Sequence, residues 1–213
     1  MKNILRMALL ALVFVFGFNA ANAFQFPDVA KDHWASEEIQ ILTDKGVIVG
    51  YPDGTFKPDD NVTRAEFASM AIKALGQQHT TVAQPVAFTD ITEEFWAYDA
   101  IQKALFFDLI SCPPSGEPFR PDDTVTRAES MTVAVNALTT EQISAQKAKE
   151  VLSRKYADAD KIPEEFIIPA GKAEILDMLV VMPSDGKKNI EAERPATRAE
   201  VAAILYDMME QAK

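Results

Sequence analysis

Thr63-Arg64-Ala65-Glu66, Thr126-Arg127-Ala128-Glu129 and Thr197-Arg198-Ala199-Glu200 are three copies of one tetrapeptide, each leading into a stretch of apolar periodicity. After the first copy, Phe67, Met70, Ala71 and Ala74 follow the i, i+3, i+4, i+7 pattern of a helix face; after the third, Val201, Ile204, Leu205 and Met208 do the same. A signature that returns at a near-constant spacing marks an internal repeat, so the chain divides into three units that each close with a helix.

Working outward, the first unit spans 26–76. It opens with Phe26-Pro27-Asp28-Val29 and His33-Trp34-Ala35, then carries Ile39 and Leu42 on a short amphipathic helix that Gly46 stops. Tyr51-Pro52-Asp53-Gly54-Thr55-Phe56 is strong turn chemistry before the tetrapeptide. A polar linker, 77–87, precedes the second unit, 88–138, which repeats the opening as Phe88-Thr89-Asp90-Ile91 and Phe95-Trp96-Ala97. Its turn is altered, with Ser115-Gly116 in place of Asp53-Gly54. Residues 139–155, rich in Ala, Glu, Lys and Gln, read as a helical spacer prolonging the second unit's last helix. The third unit, 156–210, is the most divergent: Ile167 stands for Trp, Ser184-Asp185-Gly186 keeps the acidic turn, and 190–196 loses the Phe-x-Pro-Asp-Asp order.

The first 23 residues have a different character. Lys2 and Arg6 precede an apolar run from Met7 to Phe18, and Ala21 and Ala23 fit a small-x-small cleavage rule, which reads as a secretory signal peptide cut before Phe24. The run is short for a membrane span of about 20 residues, and the mature chain is expected to be soluble with no transmembrane span. A formal net charge of −11 argues against a nucleic-acid partner, and the lone Cys112 excludes an internal disulfide. No Cys follows the cleavage site to accept a lipid. No metal site or cofactor is expected: Asp53, Asp59 and Asp60 lack the spacing of a calcium loop, and His33 and His79 lack partners at zinc spacing. Neither a Gly-x-Ser-x-Gly elbow nor an activated Cys is present, so a catalytic role is not expected.

Phe-x-Asp-Val, His-Trp-Ala, Gly-Tyr-Pro-Asp-Gly-Thr-Phe-x-Pro and Thr-Arg-Ala-Glu, in this order and spacing, resemble the S-layer homology family. The likeness is nearly complete in the first unit, good in the second and partial in the third. It implies a mainly α fold in which three helix-loop-helix repeats form a pseudo-threefold assembly around a central three-helix bundle, with ligand grooves between neighbouring units. It further implies non-covalent attachment to an anionic cell-wall polysaccharide, often one bearing pyruvate ketals, or to a peptidoglycan-linked polymer.

The tetrapeptide's Thr and Glu have a sufficient local explanation. Thr-x-x-Glu is a capping box, assigning Thr63, Glu66, Thr126, Glu129, Thr197 and Glu200 to helix caps. The Arg has none, since a cation in the first turn faces the positive end of the helix dipole. Two readings stand for Arg64, Arg127 and Arg198. Each joins free helix-terminal amides in binding a carboxylate or phosphate, or each pairs with a neighbouring acid such as Asp59, Asp60, Asp122 or Asp123. The carry-over from the family is firmest for Arg64 and Arg127. Trp34 and Trp96 either offer a flat face to a sugar ring or anchor the junction before the first helix, while Asp53, Gly54, Gly116 and Gly186 shape turns that a saccharide approaches. Phe26, Phe56, Phe88 and Phe119 read as core wedges.

The expected function is a non-catalytic wall-binding protein of the cell envelope, in the periplasm or at the wall surface. The alternative is an envelope scaffold whose degenerate repeats dock another envelope protein, suggested by the lack of a second domain to anchor.

Overall fold

A computed structural model of the protein describes residues 26–110, 113–114, 116–138, 142–179, 183–184 and 187–212; the signal-peptide segment, Cys112, Ser115 and Gly186 lie outside them. Seven helices are found among the described residues: α1 (Ser36–Asp44), α2 (Arg64–Ala74), α3 (Tyr98–Phe106), α4 (Arg127–Leu138), α5 (Ala145–Lys155), α6 (Glu164–Ile175) and α7 (Arg198–Gln211). A single-turn 3-10 helix (Ala159–Lys161) and a short hairpin, β1 (Pro183–Ser184) with β2 (Lys187–Lys188), are the remaining regular elements among the described residues. The protein is mainly α, with a single core cluster that draws side chains from all three units.

Each unit is a helix, a loop and a helix, but the two helices of a unit are not the closest partners. α3 packs on α2, α6 on α4, and α1 on α7, so the opening helix of each unit lies on the closing helix of the unit before it, the first unit following the third. α7 also packs on α2 and α4, gathering the closing helices at the centre. Three backbone bonds close a cycle there. Val62 N–H donates to Ala196 O at 3.1 Å, Ala196 N–H to Val125 O at 2.9 Å, and Val125 N–H to Val62 O at 3.0 Å.

The opening motif explains how each loop holds its shape. The Asp28 carboxylate accepts from the consecutive amides of Phe56 and Lys57, Asp90 from those of Phe119 and Arg120, and Asp158 from those of Ile190 and Glu191. The second residue of each pair has a left-handed backbone, with φ of 58° at Lys57, 60° at Arg120 and 53° at Glu191, strain that non-glycine residues tolerate only when the surroundings fix it. The first residue of each pair is fully buried, so Ile190 fills in the third unit the slot of Phe56 and Phe119. The Phe-x-Pro-Asp-Asp order is absent from the sequence at 190–196, but the backbone arrangement it makes in the other two units is kept there. Tyr156 takes the place of Phe26 and Phe88, and its buried hydroxyl donates to Glu174 where the phenylalanines stack on Phe56 and Phe119 at 5.3 and 5.4 Å.

Two details depart from the sequence reading. The segment 139–155 does not prolong α4: α5 starts afresh, with the Ser144 hydroxyl accepting from Lys147 N–H, and packs its Ala148 and Leu152 into the core against α6. A Cβ on Gly171 would stand 2.5 Å from the Ala148 Cβ, which is how closely α5 and α6 approach. The second departure concerns Ile167, which is buried. Counted back from the left-handed residue that ends each opening helix (Gly46, Asp108, Asp177), exposed Glu165 is in register with Trp34 and Trp96.

Candidate functional site: the grooves between units

At the start of α2, the Thr63 hydroxyl accepts from Glu66 N–H and the Glu66 carboxylate accepts from Thr63 N–H. Thr126 with Glu129, and Thr197 with Glu200, make the same reciprocal pair. The amides between them are occupied as well. Arg64 and Ala65 donate to Asp123 O and Pro121 O, Arg127 and Ala128 to Arg194 O and Ala192 O, and Arg198 and Ala199 to Asp60 O and Pro58 O. Free helix-terminal amides are therefore not part of any anion site here. The loop of the next unit has already satisfied them.

The three arginines reach in the same direction. Arg64 Nε donates to Phe119 O at 3.1 Å, Arg127 Nε to Ile190 O at 2.6 Å, and Arg198 Nε to Phe56 O at 2.8 Å, each time into the next unit around the cycle. The acidic partners of Arg64 and Arg127 are the capping glutamates of that next unit, Glu129 and Glu200, rather than Asp59, Asp60, Asp122 or Asp123. Equivalence ends there. Arg127 Nη1 lies 2.6 Å from Glu200 Oε1, with both side chains sealed at 2% and 4% exposure, and Arg194 Nη2 meets the same oxygen at 2.5 Å. Arg198 also donates to Val49 O and lies under the rings of Tyr51 and Phe56, at 4.7 and 4.6 Å. Arg64 stacks on Phe119 at 4.6 Å, but its nearest carboxylate oxygen, on Glu129, is 3.8 Å away. Burial pulls the pKa of Arg64 and Arg127 down, and the adjacent glutamate opposes the fall in each case.

Beside Arg64 is a cavity of about 220 Å³. Its polar wall is Arg64, Asp108, Glu129, Thr132 and Asn136; its apolar wall includes Phe67, Val133 and Phe166, so all three units contribute. Of the expected ligand residues, only Arg64 lines it. Trp34 and Trp96 lie elsewhere on the surface, 41% and 65% exposed, against the rings of His33 and Phe95. Asp53 caps its own turn by accepting from the amide and hydroxyl of Thr55, and Gly54 and Gly116 hold φ of 84° and 88°, which suits glycine. Sequence reasoning missed Thr132, Asn136 and Phe166. The signal was present for two of them: Glu129, Thr132 and Asn136 share one face of α4 at i, i+3, i+7, a polar stripe where a core helix needs none.

The same position of the repeat is Lys73 in α2, Asn136 in α4 and Asp207 in α7. Burial, with Glu38 and Asp177 nearby, pushes the Asp207 carboxyl up to about 6. A carboxyl raised in the folded state favours folding at low pH, and that advantage is lost as pH rises from the ordinary value of 3.8 through about 6. Because Asp207 is only half-buried, the effect is discounted to about 1 kcal/mol. Asp207→Asn is expected to raise the urea midpoint at pH 7 and to flatten its fall between pH 4 and 6; an unchanged midpoint and slope would contradict this.

Residues 25–68 and 87–129 match the S-layer homology domain. The chain belongs to the S-layer homology family. Among similar S-layer homology proteins, Cell surface glycoprotein 1 of Acetivibrio thermocellus is 36% identical over 132 residues, 57% of this chain and 6% of that protein. The Cellulosome-anchoring protein of the same organism is 35% identical over 120 residues, covering 55% and 26%. Outer membrane protein alpha of Thermotoga maritima is 45% identical over 75 residues, covering 35% and 18%. The chain thus spans between 6% and 26% of the length of these relatives. Their names place the family at the cell surface and envelope, and the S-layer homology domain is an anchoring rather than a catalytic element. Among the described residues no helix is long and apolar enough to cross a membrane.

Proposed function

We propose that this S-layer homology chain is a non-catalytic attachment module that holds an anionic cell-wall polysaccharide in the groove between its first and second units. The observation that carries the reading is the cavity that the Arg64 guanidinium, 3.8 Å from the Glu129 carboxylate, lines together with Asp108, Thr132, Asn136 and an apolar wall. A guanidinium suits a carboxylate, hydroxyl and amide side chains suit sugar hydroxyls, and Phe166 with Val133 suits an apolar substituent such as the methyl of a pyruvate ketal. A volume of about 220 Å³ accommodates one sugar residue rather than a long oligomer. Trp34 and Trp96 are exposed platforms on which further sugar units stack outside the groove.

Wall sacculi with and without their attached polymer provide the test. Binding is expected to the polymer-bearing sacculi alone, with Arg64→Gln reducing it at least about tenfold. Equal retention after polymer removal would contradict the reading. The similarity to an outer membrane protein favours a second reading, an envelope scaffold that docks another envelope protein. That reading predicts co-purification of such a protein, undiminished by digestion of the wall glycan.

A further inference from the structure

We propose that Glu38 and Asp207 share one proton across the contact of α1 with α7, and that this proton makes the seam between the first and third units a pH-sensitive latch. The latch is independent of what the grooves bind. Glu38 lies on α1, and its Oε2 is buried without a hydrogen-bond partner. A sealed carboxylate oxygen with no donor is costly, so the seam needs a proton that the fixed N–H and O–H groups around it do not supply. Across the seam α7 presents Asp207, which is half-buried. One turn further along α7, Gln211 Nε2 donates to Leu176 O at 2.7 Å, which ties the residue before Asp177 to the same helix end. Among the described residues the charges that act on Asp207 are Glu38 from α1 and Asp177 from the end of α6, both acidic. Two carboxylates facing each other in such a seam repel. A carboxyl facing a carboxylate instead forms a strong O–H···O bond, and that O–H is the donor Glu38 Oε2 lacks.

The other two seams are built differently at the same place. In the register set by Gly46, Asp108 and Asp177, the position of Glu38 is Ala100 in α3 and Pro169 in α6, and the position of Asp207 is Lys73 in α2 and Asn136 in α4. The seam of α3 with α2 therefore sets Ala100 against Lys73, and that of α6 with α4 sets Pro169 against Asn136, so neither has two carboxyls to share a proton. The acidic pair belongs to the seam that closes the ring. Burial and the two neighbouring acids raise the Asp207 carboxyl from 3.8 to about 6, so it keeps its proton in mild acid and loses it as pH rises through about 6. The seam is accordingly latched in mild acid and loosened at neutral pH.

Carbon-13 NMR of the side-chain carboxyls of the full chain between pH 3 and 8, in the parent and in Glu38→Gln, tests this directly. Asp207 is expected to titrate near 6 in the parent. In Glu38→Gln the amide donates to the Asp207 carboxylate, and the midpoint should fall below about 5. Thermal melts at pH 5 and pH 7.5 provide the second readout. The parent should melt lower at pH 7.5, and the difference should shrink at least about twofold in Asp207→Asn, whose amide donates to Glu38 Oε2 at either pH. An Asp207 midpoint that stays near 6 in Glu38→Gln would mean that burial alone raises it and would overturn the shared proton. A pH difference in melting that persists in full in Asp207→Asn would overturn the latch.

Discussion

Arg127→Met is expected to destabilise the protein by about 3–5 kcal/mol, lowering the thermal midpoint by about 6–20 °C for a domain of this size. The substitution removes the partner of a carboxylate that is itself 4% exposed and leaves Ile190 O without its donor. Arg194 still reaches Glu200 and holds the loss toward the lower end. Arg127→Met with Glu200→Gln should recover part of it, since the second change removes the stranded charge. The equivalent Arg64→Gln is expected to cost less, because that guanidinium is separated from its glutamate by 3.8 Å. Thermal melts of the three variants check the order, and equal losses at Arg64 and Arg127 would contradict the division between an open and a locked arginine.

Deleting 198–213 is expected to unfold the whole chain, including the first unit that lies farthest from the cut in sequence. α7 buries Val201, Ile204, Leu205 and Met208 against α1, α2 and α4. At about 1.5–3 kcal/mol per side chain these four supply about 6–12 kcal/mol, comparable with the entire stability of an ordinary domain, about 5–15 kcal/mol. The loss also removes the amides of Arg198 and Ala199 from Asp60 O and Pro58 O, and the guanidinium from Val49 O and Phe56 O. Far-ultraviolet circular dichroism and proton NMR of the shortened chain check this. A dispersed spectrum from a folded 26–76 would mean that the units are independent.

The repeat, the helical nature of each unit and the starts of the closing helices were legible because they depend on local chemistry: the Thr-x-x-Glu cap and the i, i+3, i+4 spacing. The chain pairing was not. Nothing in the periodicity of Ile39 and Leu42 says that α1 lies on α7 rather than on α2, since a helix face records that it is buried and not against what. Ile190 was unreadable as a substitute for Phe56 and Phe119 for a related reason: its identity differs, and its equivalence resides in the two amides that Asp158 holds. The arginine stood out as the residue of the tetrapeptide that capping leaves unexplained. Its partners, the carbonyls of Phe119, Ile190 and Phe56, are far away in sequence, so local spacing could not reveal that a tetrapeptide inside one unit is the fastening to the next. The candidate site inherits that limit. Arg64 was named from the motif, but Thr132, Asn136 and Phe166 join it only because three units meet.

Closure of the three units into one ring is the claim on which the rest depends, and native-state hydrogen exchange in a Leu205→Ala chain tests it most directly. Leu205 is fully buried on α7, and its truncation should remove about 2–5 kcal/mol of stability. If the ring is closed, the amides of α1 (Ser36–Asp44) lose protection in step with those of α7, although they lie at opposite ends of the described chain. Protection of α1 that stays at the parent level while α7 opens would contradict it.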